Sequence, residues 1–170
     1  MKTPMQEAAA TVFCQEIDHA AQRSHYLTTE EMIRTTAAAC KDERVYVKPH
    51  PNHSKAGRKA ILDISADYQN VQVSDASVHD LADAARCVVT QNSAAGFEAL
   101  MQRRCVITCA RSDYWHAPPT AKHASDPKEA LQSRPEAMAE SAFATYFYWG
   151  LGRTLSVPAE EAFEWRASVS

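Results

Sequence analysis

The chain has 170 residues, 45% of them hydrophobic, and a formal net charge of -3. That size predicts a single domain with a real core. The charge excludes the broad basic surface of a nucleic-acid binder, so an anionic ligand must be held by local chemistry.

In chain order, Thr11 to Cys14 is the first apolar run and the first expected strand. Gln15 to Tyr26 is polar and reads as a loop. Thr28 and Glu31 form a T-x-x-E capping box, which opens a helix running through Met32, Ile33 and Ala37 to about Cys40. Val45 to Val47 is a second strand, stopped by Pro49 and Pro51. Asn52 to Gly57 reads as a loop, followed by a short helix through Ile61 to Ile64. Val71 to Val73 is a third strand.

Ser77 and Asp80 form a second capping box, opening a helix through Leu81 to Ala85. Cys87 to Thr90 is a fourth strand. Ser93 then caps a helix that runs to about Gln102, and Cys105 to Cys109 is a fifth strand. Strands alternating with helices predict an α/β fold: a three-layer Rossmann-like domain with a parallel sheet of about five strands. Arg111 to Pro127 reads as a long loop, with a short helix near Pro127 to Leu131 and a longer one over Pro135 to Leu151. The expected division is one domain over 1–170, with its core over about 11–116 and the loop and C-terminal helices over 117–170.

The five cysteines, Cys14, Cys40, Cys87, Cys105 and Cys109, include no C-x-x-C pair. They are expected to be reduced, which predicts a cytoplasmic protein. Cys105 and Cys109, on one strand, would lie roughly 13 Å apart, too far for a disulfide or a shared metal. No H-E-x-x-H or similar pattern is present, so no metal site is expected. Asn92-Ser93-Ala94-Ala95-Gly96 is not a G-x-S-x-G elbow, and no catalytic residue is assigned. Met1 to Ala8 lacks the apolar core of a signal peptide. The apolar segment Ala142 to Leu151 is too short for a membrane span.

Two strand ends stand out. Val45-Tyr46-Val47 runs into Lys48-Pro49-His50-Pro51, and Cys87-Val88-Val89-Thr90 runs into Gln91-Asn92-Ser93 and a helix. The first two capped helices carry Glu31 and Asp80 at the third helical position, where a carboxylate neutralises the positive helix end. The helix after Ser93 has Gly96 there, preceded by Ala94 and Ala95, so its amides are open to an anion. One reading is a phosphate seat with the Ser93 hydroxyl as an added donor. The other is an ordinary cap whose small residues pack on a neighbour. The prolines flanking His50 fix the backbone and aim an imidazole that can donate to a phosphate. Glu98 is placed either to accept from ribose hydroxyls or to lie on a solvated helix face.

These residues resemble the C-terminal, nucleotide-sugar donor half of GT-B-type glycosyltransferases, and bacterial capsule polysaccharide transferases of the Kdo-transferase type in particular. The resemblance rests on Lys48-Pro49-His50-Pro51, the aspartate turn Ser74-Asp75, the run Ser93 to Leu100, the strand Val106-Ile107-Thr108 and the aromatic turn Asp113-Tyr114. It covers about residues 11–116. It implies a CMP-linked donor such as CMP-Kdo, no further cofactor, and a nucleotide site of Lys48, His50, Asn92, Ser93, Ala94 and Glu98. In that site His50 and Ser93 would contact the phosphate and Glu98 the ribose or nearby backbone.

Two departures from the pattern are Ala94, where the family has a second hydroxyl residue, and Ala110-Arg111, where it has glycine after the fifth strand. The resemblance also implies that the acceptor domain, with its catalytic base, lies outside this chain, and that the isolated chain transfers no sugar. Alternatives are a CDP-glycerol phosphotransferase or nucleotide-sugar epimerase-like domain, and a non-catalytic interaction domain that kept the fold. Expected partners are the donor, the missing acceptor domain or a second copy of the chain. The second-copy reading rests on Phe143, Tyr146 and Phe147 sharing one helical face while Tyr148 and Trp149 point elsewhere.

Overall fold

The computed structural model describes residues 5–15, 25–112, 114, 117–132, 139–140 and 142–143. Within them strands and helices alternate: β1 (Ala8–Phe13), α1 (Thr29–Ala39), β2 (Val45–Lys48), α2 (Lys55–Ala66), β3 (Val71–Val73), α3 (Val78–Ala84), β4 (Ala85–Thr90), α4 (Ala94–Met101), β5 (Cys105–Thr108) and α5 (Asp126–Gln132). The strands form one sheet in the order β3-β2-β1-β4-β5. Every pairing in it is parallel, as the alternation predicts.

The chain builds outward from β1 through β2 to β3, then crosses back and adds β4 and β5 on the other side of β1. The sheet therefore reverses direction between β1 and β4, and such a switch point leaves a crevice at the carboxyl ends of the strands. The register aligns that edge, because Phe13 pairs with Lys48 on one side and Thr90 on the other, and Thr90 pairs with Thr108. Helices cover both faces. Val12, Val45, Val47, Cys87, Val89 and Ile107 pack with Met32 and Ile33 of α1 and Ile61 of α2. Phe13, Tyr46, Val88 and Val106 point the other way, onto Leu81 of α3 and Leu100 of α4. The alternation follows the two-residue period of a strand.

The caps form as the sequence predicts at three helices. Thr28 Oγ1 accepts from the Glu31 N–H at 3.1 Å, and the Glu31 carboxylate accepts from the Thr28 N–H at 2.8 Å. Ser77 Oγ accepts from the Asp80 N–H at 3.1 Å. Ser93 Oγ accepts from the Ala95 N–H at 3.2 Å.

Several boundaries differ from expectation. β1 begins at Ala8 and ends at Phe13, so it starts three residues before Thr11. Alanine favours helices, but here Ala8, Ala9 and Ala10 fill a central strand squeezed between two helical layers, and packing decides. α2 begins at Lys55, inside the expected loop, because Ser54 Oγ accepts from the Gly57 N–H at 3.0 Å and caps it. β5 ends at Thr108, and the Cys109 N–H turns to the Thr90 carbonyl at 2.7 Å. The expected long loop after β5 folds back, its Thr120 bridging to Thr108, and α5 starts at Asp126. Residues 16–24 of the first loop lie outside the described residues. So do Asp113, Trp115, His116 and most of the expected helix over Pro135 to Leu151, with Tyr146, Phe147, Tyr148 and Trp149.

All five cysteines are buried free thiols. The register sets Cys87 directly beside Cys105, with the two sulfurs 2.7 Å apart, a pairing that sequence spacing did not suggest. Among the described residues, no helix is long and apolar enough to cross a membrane.

Candidate functional site

The carboxyl edge of the sheet gathers the segments after β2, β3, β4 and β5. Lys48 ends β2. Its ammonium donates to the Ala76 carbonyl at 2.7 Å and the Asp75 carbonyl at 3.3 Å, so two of its three donors tie down the turn after β3. Asp75 in that turn also accepts from Arg58 Nη2 through both carboxylate oxygens, at 2.8 and 2.6 Å.

His50 is half-buried. Its Nδ1 accepts from the Asn52 N–H at 3.1 Å, and its own N–H donates to His53 Nδ1 at 2.8 Å. A ring nitrogen that accepts from a backbone amide carries no proton, so the neutral His50 ring has its proton on Nε2. His50 thus offers a donor at the tip of its ring. The turn beyond it leads to α2, which has no acidic residue in its first turn and carries Lys55 and Arg58 there instead.

On the other side of β1, Gln91 to Ser93 follow β4. Gln91 is buried, and its Nε2 donates to the Leu27 carbonyl at 2.6 Å. The Asn92 N–H donates to Gln15 Oε1 at 3.1 Å, while the Asn92 side chain is exposed. Ser93 is buried at the cap of α4. α4, like α2, has no acidic residue in its first turn. The Ala95 N–H is taken by Ser93 Oγ and the Gly96 N–H by the Ser93 carbonyl at 3.0 Å. Among the described residues, the Ser93 and Ala94 N–H groups have no hydrogen-bond partner. Ala94 is exposed.

At Gly96 the structure follows the second of the two readings, a small residue packed on a neighbour. A Cβ there would collide with Tyr114 Oη and lie 2.6 Å from Thr90 Cγ2. Tyr114, 5% exposed, fills that space and donates to the Ser93 carbonyl at 2.7 Å. Gly96 therefore admits a protein side chain rather than a ligand, while Ala94 is the exposed residue of α4's first turn.

Glu98 lies farther along α4 and turns toward α3, with its carboxylate 3.7 Å from His79 Nε2. It is partly exposed.

The structure thus gathers Lys48, His50, Asn92, Ser93 and Ala94 on one edge. The last residues of β2 and β4 are separated by β1 alone, about 10 Å at two strand spacings. Glu98 stands apart on the α3 side of α4. Arg58 and Tyr114 were not singled out as site residues by the sequence. A basic first turn after the His-Pro loop could have pointed to Arg58. Nothing local pointed to the contact between Tyr114 and Ser93.

The opposite, amino edge of the sheet holds a cleft of about 540 Å³ lined in part by Arg44, Arg86, Arg103 and Arg104. Three of these guanidiniums face acids: Arg86 with Glu43 at 2.7 Å, Arg104 with Asp83, and Arg103 with Glu140 at 3.7 Å. That balance leaves little positive charge for a ligand. Among the described residues, no cluster of three or more His, Cys, Asp or Glu could hold a metal.

The model of the capsule polysaccharide biosynthesis protein family matches residues 15–149, a span that contains every one of these edge residues. The chain belongs to that family. Its Rossmann-like α/β fold is shared with solved glycosyltransferase structures. A β-Kdo 2,7 transferase, KpsC of Thermosulfurimonas dismutans, superposes with a TM-score of 0.55 at 18% identity, over 76% of this chain and 46% of that one. AviGT4, a glycosyltransferase involved in avilamycin A biosynthesis, superposes with a TM-score of 0.51 at 11% identity, over 84% of this chain and 46% of that one. The chain spans less than half the length of either structure. No curated protein sequence matches it.

Proposed function

We propose that this capsule-family domain is the nucleotide-sugar donor half of a surface polysaccharide glycosyltransferase and takes a CMP-linked sugar. The observation that carries the reading is the pairing of two helix starts at one switch point. α2 and α4 both lack first-turn acids, whereas α1, α3 and α5 all have them. An anion at this edge meets open amides, fixed dipoles and no competing carboxylate in either first turn.

In this reading the phosphate sits against the Ser93 and Ala94 amides, beside the Ser93 hydroxyl and the exposed Asn92. His50 Nε2 donates from across β1, and the remaining Lys48 donor supplies charge. The same donors that hold the ground state stabilise the nucleotide as its phosphate leaves with extra negative charge. Inverting transfer also needs a base on the acceptor side, and that base belongs to a partner half beyond this domain. The chain alone then binds donor but transfers no sugar.

Titration calorimetry with CMP, CDP and UDP tests this. The expected result is binding of CMP in preference to the other two. Tighter binding of CDP or UDP would retire the CMP assignment and keep a nucleotide site. Absence of binding by all three would retire the donor-domain reading.

A further inference from the structure

We propose that Tyr114 is a positioning residue of this site: its phenol sets the direction in which the Ala94 N–H is offered to the ligand. The inference rests on the reading of the α4 start as the phosphate seat. Tyr114 Oη donates to the Ser93 carbonyl at 2.7 Å. The carbonyl of Ser93 and the N–H of Ala94 belong to one planar trans peptide unit and point in opposite directions. The same carbonyl also accepts from the Gly96 N–H at 3.0 Å, so the phenol is the second of two bonds on it, and fixing the oxygen toward the helix fixes the Ala94 N–H away from it. That amide has no hydrogen-bond partner among the described residues.

The anchor is built to be stiff. Tyr114 is 5% exposed and its hydroxyl lies too close to the place of a Cβ on residue 96, so glycine there makes room for it. Its ring lies 6.0 Å from that of Phe97, on the first turn of α4. The segment carrying it is clamped back onto β5. The Thr108 N–H donates to the Pro119 carbonyl at 3.0 Å, the Ala121 N–H to the Thr108 carbonyl at 2.8 Å, and the two threonine hydroxyls meet at 3.1 Å. The loop after β5 thus holds the α4 start by one hydrogen bond. It also compensates for Ala94: without a second hydroxyl at that position, the backbone amide is the donor the peptide unit has to give, and its aim matters.

The test uses the whole chain and Tyr114→Phe, which keeps the ring and deletes the donor. Affinities for CMP, cytidine and inorganic phosphate are measured by calorimetry, and the Ala94 amide is followed by ¹⁵N–¹H NMR. The expected result is an about tenfold loss for CMP and phosphate with cytidine unchanged, and a smaller ligand-induced shift of the Ala94 amide in the variant. Phe97→Leu is the control for packing: it should lower stability and leave the Ala94 response intact.

Equal CMP affinity in wild type and Tyr114→Phe would overturn the positioning role and leave the donor-domain reading standing. An equal loss in Phe97→Leu would also overturn it, because packing alone would then explain the effect. If the wild type ignores CMP, CDP and UDP but phosphate still shifts the Ala94 amide in a Tyr114-dependent way, the donor-domain reading fails and the positioning role survives. If neither CMP nor phosphate moves that amide in the wild type, both fail.

Discussion

Arg58 on α2 and Asp75 in the turn after β3 form an ion pair in which one guanidinium nitrogen reaches both carboxylate oxygens, at 2.8 and 2.6 Å. With Lys48 holding the carbonyls of the same turn, the pair closes the β2 side of the crevice. The Arg58 hydrogen bond is the main cause that lowers the Asp75 pKa below its ordinary 3.8. A depressed carboxylate stabilises the fold above its unfolded pKa and loses that contribution as pH falls through the folded value. Asp75→Asn is therefore expected to melt slightly below wild type at pH 7. The gap should close on acidification below pH 3.8 and shrink in high salt, because both groups are exposed. Thermal melts of the two proteins across pH and salt check this.

Gly96→Ala should destabilise the domain. The added Cβ meets Tyr114 Oη and Thr90 Cγ2, and overpacking of this kind costs about 1–3 kcal/mol. Alanine's better helix propensity offsets up to about 1 kcal/mol of that. Because the nearest obstacle is a hydroxyl oxygen, the penalty should be smaller in a Tyr114→Phe background. Denaturant unfolding of the four proteins in the cycle gives the coupling directly. Strict additivity would show that the two residues do not share the space.

That pair also marks where sequence reading stops. The sheet was legible because period-two apolar runs and capping boxes are local signals, and each strand except β1 lay within about a residue or two of expectation. β1 was misplaced at its start because three alanines carry no strand signal, and only burial between two layers makes them one. At the site, the bare start of α4 was legible from Ser93 and the missing acid. Which neighbour Gly96 makes room for was not, since that partner lies on a loop after the next strand. Arg58 was hidden in the same way, because Gly57 read as a loop breaker while Ser54 was capping a helix through it.

The thiols should be inert in the folded state. Burial pushes Cys14 and Cys109 up to about 12 and Cys40 up to about 11, and it raises Cys87 well above its ordinary value. Since the thiolate is the reactive form, a thiol titration at pH 8 should find almost no fast-reacting cysteine in native protein. In guanidinium it should find five, the number in the chain. Fast reaction of one or more thiols in native protein would mean that the core opens readily around them. A count of three in denaturant without reductant would mean that Cys87 and Cys105, 2.7 Å apart, have bonded.

Ser93→Ala should separate stability from binding. The hydroxyl caps α4 by accepting from the Ala95 N–H, and loss of such a cap costs about 1 kcal/mol. In the donor-domain reading the same hydroxyl also donates to the nucleotide phosphate, where a charge-assisted bond is worth about 1–2 kcal/mol. The two roles use different parts of one group: a lone pair for the cap, the proton for the ligand. Ser93→Asp makes them separable, because a carboxylate can still cap but repels a phosphate. The expected outcome is a stability loss in Ser93→Ala that Ser93→Asp largely restores, with CMP affinity reduced in Ser93→Ala and abolished in Ser93→Asp. Calorimetry and denaturant unfolding on the same preparations check both. CMP binding to Ser93→Asp as tight as to wild type would place the phosphate away from this helix start, whatever the alanine variant does.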